Sequence, residues 1–383
     1  MKVLVHIGQS KTGTSAIQAY LSLNRVPLAD KGILYPTVRV SGVPLELASH
    51  NALADSLSGL SRFPHLSTEG YFSQFWREAE QTQARLMILS AEHFFGGEPR
   101  IWDVADEDEY FRLYRQKVRA LAQHLRGHDV DVLAYLRPQV DWLESAVGQT
   151  VRISRLISKT PPYRDDRQFF DLMKPVLHYG TLLDIWEQEL GPSNVRVVPY
   201  QRDALINQSA IDDFLARCGL EQFDLPYGHG ALEVNSSLTR DYVEVKKRLN
   251  QGARSKLSER VAIACLERLS DHSRFSRKYF LDPDLAEEVR QFGEAENALV
   301  NRKFLEADSA LVAQSGKRTV SAAPDEMDVE RAMVAFQRKY RSPRMRLLML
   351  ELGLRDLLRR YAPGVHAHLH QLTRVYRNWT YKQ

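Results

Sequence analysis

Cysteine is nearly missing from this 383-residue chain: there are two, Cys218 and Cys265, far apart and in no CxxC spacing. That excludes a disulfide framework and a cysteine-based zinc site, and leaves both thiols as expected core residues. No run of 18 apolar residues occurs, so the sequence offers no membrane-spanning helix. The first strand-like segment starts at Lys2, which leaves no room for a leader ahead of it, and the expected location is the cytoplasm. No His, Cys and carboxylate cluster stands at metal-ligand spacing, so no metal is expected. GxxxxGK[ST] and GxGxxG are missing too, which removes the main support for a nucleotide kinase or a dinucleotide-binding enzyme.

What is present is an alternation of buried strands and helices. Val3 to Ile7 (VLVHI) is a short apolar run ending at Gly8, and the segment from Thr14 onward, with Ile17, Tyr20 and Leu21, has helical spacing. The pattern returns with strands at Leu86–Leu89, Val130–Leu136 and Val195–Val198. Helices are predicted at Tyr110–Leu125, Val140–Ile157 and Leu182–Leu190. Uniformly apolar strands separated by helices predict an α/β fold, a P-loop-like parallel sheet flanked by helices. Beyond about residue 205 the pattern is mainly helical, with Ile211–Cys218, Asp241–Leu249 and Leu257–Leu269 as members.

The expected organisation is a nucleotide-binding core over 1–205, a helical completion over 206–305, a small polar linker over 306–328 and a basic amphipathic tail over 329–383. The overall charge of +4 is unevenly spread: residues 337–383 hold 11 Lys or Arg against only Glu351 and Asp356. Such a tail suits a polyanion or an anionic membrane surface, or a plain solvated helix. It has no aromatic interleaving of a nucleic-acid module, and its leucines fit a membrane interface or helix packing better.

The segment HIGQSKTGTS joins the first strand to the first helix. Backbone N–H groups at a helix N-terminus, with the positive end of the helix dipole, bind phosphate. Gly8 and Gly13 allow a tight turn there, and Ser10, Thr12, Thr14 and Ser15 offer hydroxyls. Lys11 precedes Gly13 by two positions, so this is not a Walker loop. The string resembles the 5'-phosphosulfate loop of sulfotransferases that use 3'-phosphoadenosine 5'-phosphosulfate (PAPS), with Lys11, Thr12, Gly13, Thr14 and Ser15 matching its core. Gln9-Ser10 replaces a more frequent proline-bearing pair. The 3'-phosphate motif of that family, a strand ending in arginine with a serine eight positions on, is matched by Arg137 and Ser145 in YLRPQVDWLES. The stretch around Tyr200-Gln201 and the segment VNSSLTRDYVEVKKRLN are similar, more loosely, to later parts of bacterial members.

The resemblance implies a PAPS-dependent sulfotransferase, with PAPS as co-substrate and an acceptor hydroxyl or amine. A saccharide acceptor is the preferred expectation because the related bacterial proteins look like carbohydrate sulfotransferases. Lys11 is then the catalytic cation at the leaving oxygen. A general base must face the sulfur from the far side. Glu92, after the second apolar strand, and His50, at the start of a short helix, are the equal candidates, with His93 behind them. Glu92 reads equally well as a helix-capping carboxylate, and His50 as a satisfied surface or core histidine. Relatives often place a glutamate early in the chain, where Glu46 stands here. His6 reads as a packed core residue. Aromatic and basic residues in 60–80 and 152–170 read as a sugar site or as core and rim. The competing class is a nucleotide-fold protein that does not catalyse and uses its tail to bind a membrane surface or a polyanion.

Overall fold

The computed structural model describes residues 1–40, 43–45, 48–60, 63, 65–96, 101–153, 165–191, 194–223, 225, 237–252, 254–276, 278, 281–305, 310–311 and 323–361. The chain opens with β1 (Lys2–His6), α1 (Thr14–Leu23), α2 (Arg25–Ala29) and β2 (Ile33–Leu34). A small hairpin follows, β3 (Val38–Val40) with β4 (Val43–Leu45). Next come α3 (Asn51–Leu57), α4 (Thr68–Gln81), β5 (Leu86–Ser90), α5 (Glu92–Phe95), α6 (Glu107–His124) and β6 (Asp129–Leu136). The remainder is α7 (Gln139–Ile153), α8 (Asp166–Leu177), α9 (Tyr179–Leu190), β7 (Val195–Pro199) and α10 (Ala210–Arg217). After these come α11 (Arg240–Gln251), α12 (Lys256–Ser270), α13 (Pro283–Phe304), α14 (Glu326–Tyr340) and α15 (Pro343–Tyr361).

The chain divides into two units. The first comprises 1–143, 167–234 and 282–316; the second comprises 144–166, 235–281 and 317–383. This corrects the expected succession of segments along the chain. The helical region does not simply follow the core, because α13 returns to the sheet unit, where it packs on α9, while α11, α12, α14 and α15 pack on one another. Most of the expected linker, 306–309 and 312–322, lies outside the described residues, and Glu326–Asp328 already belongs to α14. The break expected at Pro363-Gly364 is likewise outside them.

The sheet unit holds five parallel strands in the order β2-β5-β1-β6-β7. The four longer strands are those the apolar runs predict. The two-residue β2 and the β3/β4 hairpin go beyond that expectation, being too short to carry a period. Strand side chains alternate between faces. On one face Leu4, Ile88 and Leu133 form a cluster with Ile17 and Leu21 of α1 and with Phe214 and Leu215 of α10. The alternate positions Val3, Val5, Met87, Leu89 and Val132 are fully buried on the other face, and Tyr114 of α6 and Trp186 of α9 are buried together, the indole N–H donating to the tyrosine oxygen at 2.8 Å. Burial on both faces explains why the strands read as continuous apolar runs.

Several helix starts are capped by side chains. Ser67 caps α4, Asp106 caps α6 with three acids in the first turn, and Ser209 caps α10. Helix α1, like α2, α3, α5, α9 and α11, has no side-chain cap; its N-cap is Gly13 at φ 78°.

Candidate active site

The order of the strands locates the site. From β1 the chain goes to the edge strand β2 and back to β5 on one side, then crosses to β6 and β7 on the other. Neighbouring loops therefore leave in opposite directions between β1 and β6, and in open parallel sheets the crevice beyond the carboxyl ends at such a reversal receives ligands. The loop 8–13 follows β1 and Arg137 follows β6, one on each side of that crevice. Glu92 follows β5, whose last residue Ser90 is in register with His6 of β1.

The loop is built from the inside. Gln9 is buried, and its carbonyl accepts both the Thr12 hydroxyl at 2.6 Å and the Thr14 hydroxyl at 3.1 Å. This corrects one expectation: the protons of Thr12 and Thr14 close the turn. Both threonines are buried, at a helix start, where the first N–H groups have no intrahelical partner. Ser15 is exposed and Ser10 half-buried. The Ser10 carbonyl is held by the Trp142 indole N–H at 3.0 Å. Lys11 adopts φ 71°, a left-handed conformation that costs a non-glycine residue about 1–2 kcal/mol. Gly13, at φ 78°, has a second constraint: a Cβ there would stand 2.5 Å from Cβ of Ala210 in α10 and 3.4 Å from the Tyr200 hydroxyl. The loop is pressed against α10 and Tyr200, and only glycine fits.

Arg137 is tied to the same loop. Its backbone N–H donates to Oε1 of Gln9 at 3.2 Å, and its carbonyl accepts the Tyr179 hydroxyl at 2.9 Å. Nε2 of Gln9 donates to the Tyr179 oxygen at 2.7 Å, closing a triangle. Burial raises the affinity of the Tyr179 and Tyr200 hydroxyls for their protons, and the positive charge of Arg137 opposes that at both. Lys11 and Arg137 thus stand on segments joined through one buried amide.

Glu92 opens α5 beside α1. The Ser15 hydroxyl faces its Oε1 at 3.4 Å. Burial pushes the Glu92 carboxyl above the ordinary carboxylate range, while His93, the Ser15 hydroxyl and Lys11 pull the other way. The start of α5 is anchored three times at His93. The ring Nδ1 meets Oδ1 of buried Asp55 at 2.5 Å, the backbone N–H donates to Oδ1 of Asn51 at 3.2 Å, and the carbonyl accepts Nζ of Lys117 at 2.8 Å. Lys117 is itself buried, 4.3 Å from the centre of the Tyr114 ring.

His50 is corrected as a candidate base. Its Nδ1 accepts the Ser90 N–H at 3.0 Å and its Nε2 faces the Pro36 carbonyl at 3.1 Å, so both ring nitrogens are committed. The ring is packed edge-on against Tyr35 and Phe75, and burial holds its pKa down to about 4. It fastens the end of β5. His6 is a core residue: Nδ1 bonds the Ser90 hydroxyl at 2.8 Å, and burial lowers its pKa to about 3. Glu46 and most of 152–170 lie outside the described residues. In 60–80, Tyr71, Phe72 and Phe75 are core. Ser145 is half-buried on α7, in the part that belongs to the second unit. The free thiol of Cys265 is buried, with its pKa pushed up to about 11; Cys218, also free, is half-buried and shifted further in the same direction.

Sequence reasoning passed over Gln9, Tyr179, Trp142, Asp55 and Lys117. Lys117 left a trace, since it occupies a core position of the α6 stripe beside Tyr110, Tyr114, Val118 and Leu121. Gln9 left none.

No protein-family model matches the chain, and no curated protein does. Among solved structures it is similar to a sulfotransferase from Alicyclobacillus acidocaldarius, at 15% identity and a TM-score of 0.36, over 78% of this chain and 94% of that one. A likeness that weak adds nothing to the geometry above.

Proposed function

We propose that the protein is a sulfotransferase that uses PAPS and transfers its sulfuryl group to a hydroxyl or amine, a saccharide being the preferred acceptor. The observation that carries this reading is the pairing of two cationic segments across the β1/β6 reversal, the Lys11 loop and Arg137, joined through Gln9. A donor with phosphates at both ends of one nucleoside needs two such points. The uncapped α1 terminus suits the 5'-phosphosulfate. The forked guanidinium of Arg137 suits the 3'-phosphate.

In the transfer the acceptor oxygen forms a bond to sulfur while the bond from sulfur to the 5'-phosphate oxygen breaks. The electron pair leaves with adenosine 3',5'-bisphosphate. Lys11 balances the negative charge that grows on that leaving oxygen, a task suited to a compact cation on a flexible stem. The acceptor proton goes to a base, and we assign Glu92. It is the candidate carboxylate beside the loop, and burial makes it more basic than an ordinary carboxylate. His93, with Asp55 at its Nδ1, positions α5. Beyond that proton transfer, the protein contributes positioning and charge stabilisation.

Calorimetry with adenosine 3',5'-bisphosphate, AMP and ATP tests the donor site. The bisphosphate is expected to bind at least tenfold more tightly than AMP, with the preference abolished in Arg137→Ala. Equal affinities refute the donor assignment. With labelled PAPS and a saccharide panel, Lys11→Ala and Glu92→Gln should each depress turnover about 100-fold or more while the bisphosphate still binds. Tight bisphosphate binding with no transfer to any acceptor class would instead favour a protein that binds the nucleotide without catalysis.

A further inference from the structure

Helix α15 has two apolar faces. One is packed within the second unit: Met345 is buried, a Cβ on Gly353 would lie 3.6 Å from Leu257 of α12, and Asp356 accepts Nη1 of Arg260 at 2.8 Å. The other face is bare. Leu347, Leu350, Leu354 and Leu357 are 66, 71, 58 and 55% exposed. At about 100° per residue the four fall within an arc of roughly 80°, opposite Met345 and Asp356. Single exposed leucines need no explanation, but four in one stripe on one helix do.

The stripe has cationic borders. Arg344 flanks it on one side and Arg346 on the other, both exposed, while Arg355, on the side of Arg344, is paired with Glu351. Between Arg338 and Tyr361 there are eight Lys or Arg against two acids. Both acids are already neutralised locally, Glu351 by Arg355 at 2.7 Å and Asp356 by Arg260. The charge left to face outward is positive.

We propose that this face of α15 is a docking surface for a bilayer carrying anionic lipids, with the helix lying in the plane of the headgroups. Four leucines reach the acyl boundary while the flanking arginines extend to lipid phosphates, the arrangement of an interfacial helix. None of the described helices is long and apolar enough to cross a membrane, so the contact is peripheral. The spacing 347, 350, 354, 357 also fits a seam between two copies of the chain. That occupant is disfavoured, because the seam spans fewer than two heptads where three or four are needed. Its borders would also set arginine against arginine.

The test is co-sedimentation of the full-length protein with phosphatidylcholine vesicles, with and without 30% phosphatidylserine, at low and high salt. Binding is expected only with phosphatidylserine, weakened severalfold by salt, and reduced at least tenfold in Leu350→Glu/Leu354→Glu. Because these side chains are exposed, circular dichroism and nucleotide binding should be unchanged in the variant. Arg344→Glu/Arg346→Glu should weaken binding and flatten its salt dependence. The proposal is overturned if vesicles do not bind the protein, or bind it equally after the leucine substitutions. A salt-insensitive dimer dissociated by the leucine substitutions, without vesicle binding, overturns it in favour of self-association.

Discussion

The side-chain oxygen of Gln9 accepts the backbone N–H of Arg137 at 3.2 Å, while its amide nitrogen donates to Tyr179 at 2.7 Å. These bonds join residues 128 positions apart in the chain. They hold the two segments that flank the β1/β6 crevice at a fixed separation, which a ligand with two charged ends requires.

Replacing Gln9 by alanine leaves the Arg137 N–H and the Tyr179 oxygen each short of a partner in a buried setting. A cost of about 1–3 kcal/mol is expected, read as a lower midpoint in urea unfolding. Affinity for adenosine 3',5'-bisphosphate should fall more than affinity for AMP, because only the first ligand depends on the separation. Glu at this position keeps the acceptor but cannot donate to Tyr179, so it should not rescue. Unchanged selectivity in Gln9→Ala would show that the triangle serves folding alone.

Gly13 yields a paired test. An alanine there must adopt φ 78° and bring its Cβ within 2.5 Å of Ala210. The left-handed conformation costs about 1–2 kcal/mol, and overpacking typically adds 1–3 kcal/mol. Ala210→Gly removes the second contribution only. The double variant should therefore recover part of the stability lost by Gly13→Ala, and thermal unfolding of the four members of the cycle measures the recovery. Full additivity would mean that α10 simply moves aside.

How much of this was legible beforehand depends on the range of the interaction. The long strands and the amphipathic helices α6, α9, α10 and α12 were readable because their signals are local periods, and so was the phosphate-like loop with Lys11 and Gly13. Thr12 and Thr14 were visible as hydroxyls, but their direction was not, since it follows from the inward-facing carbonyl of Gln9. His50 had the chemistry of a base, and only the fold brings Ser90 and Pro36 to its two nitrogens. Asp55 and Lys117 became relevant through contacts with His93 across 38 and 24 residues. The interleaving of the two units was hidden for the same reason: α13 and its neighbours carry similar helical patterns, and packing alone decides which body each joins.

Acid should destabilise the sheet unit through two buried imidazoles. His6 and His50 are held neutral by burial, with pKa near 3 and near 4 against 6.5 for an ordinary histidine. Above pH 6.5 both are neutral whether folded or not and contribute no pH dependence. Below it the unfolded chain takes up protons that the fold refuses, so stability is lost as pH falls from 6.5 toward 4, by roughly 2 kcal/mol per histidine at pH 5. His178 acts in the opposite sense. The hydrogen bond to Glu296 and the nearby Glu107 raise its pKa, so its contribution is full below pH 6.5 and fades as pH rises through the raised value. Urea midpoints between pH 4.5 and 8.5 should thus fall on the acid side, with a shallower fall in His50→Asn, while His178→Gln should lose most at the acid end. An acid-side slope unaltered by His50→Asn would contradict the neutral assignment.

In the second unit, Lys246 of α11 and Glu259 of α12 form an ion pair at 2.5 Å with exposures of 0 and 1%. Two charges removed from water attract strongly, but each also loses its hydration, so the pair is worth less than its Coulomb energy. Removing one partner is therefore far worse than removing both. Lys246→Met leaves a buried carboxylate alone and is expected to cost about 3–5 kcal/mol, whereas Lys246→Met/Glu259→Leu should come within about 1–2 kcal/mol of the original chain. Because a protein of two units need not unfold in one step, the readout should be local. Hydrogen exchange of peptides from α11 and α12 should quicken sharply in the single variant and return close to the starting rate in the double, while peptides from β1 and β6 stay unchanged. Equal exchange in the single and double variants would mean that the pair contributes nothing specific and that the space it fills is what the two helices need.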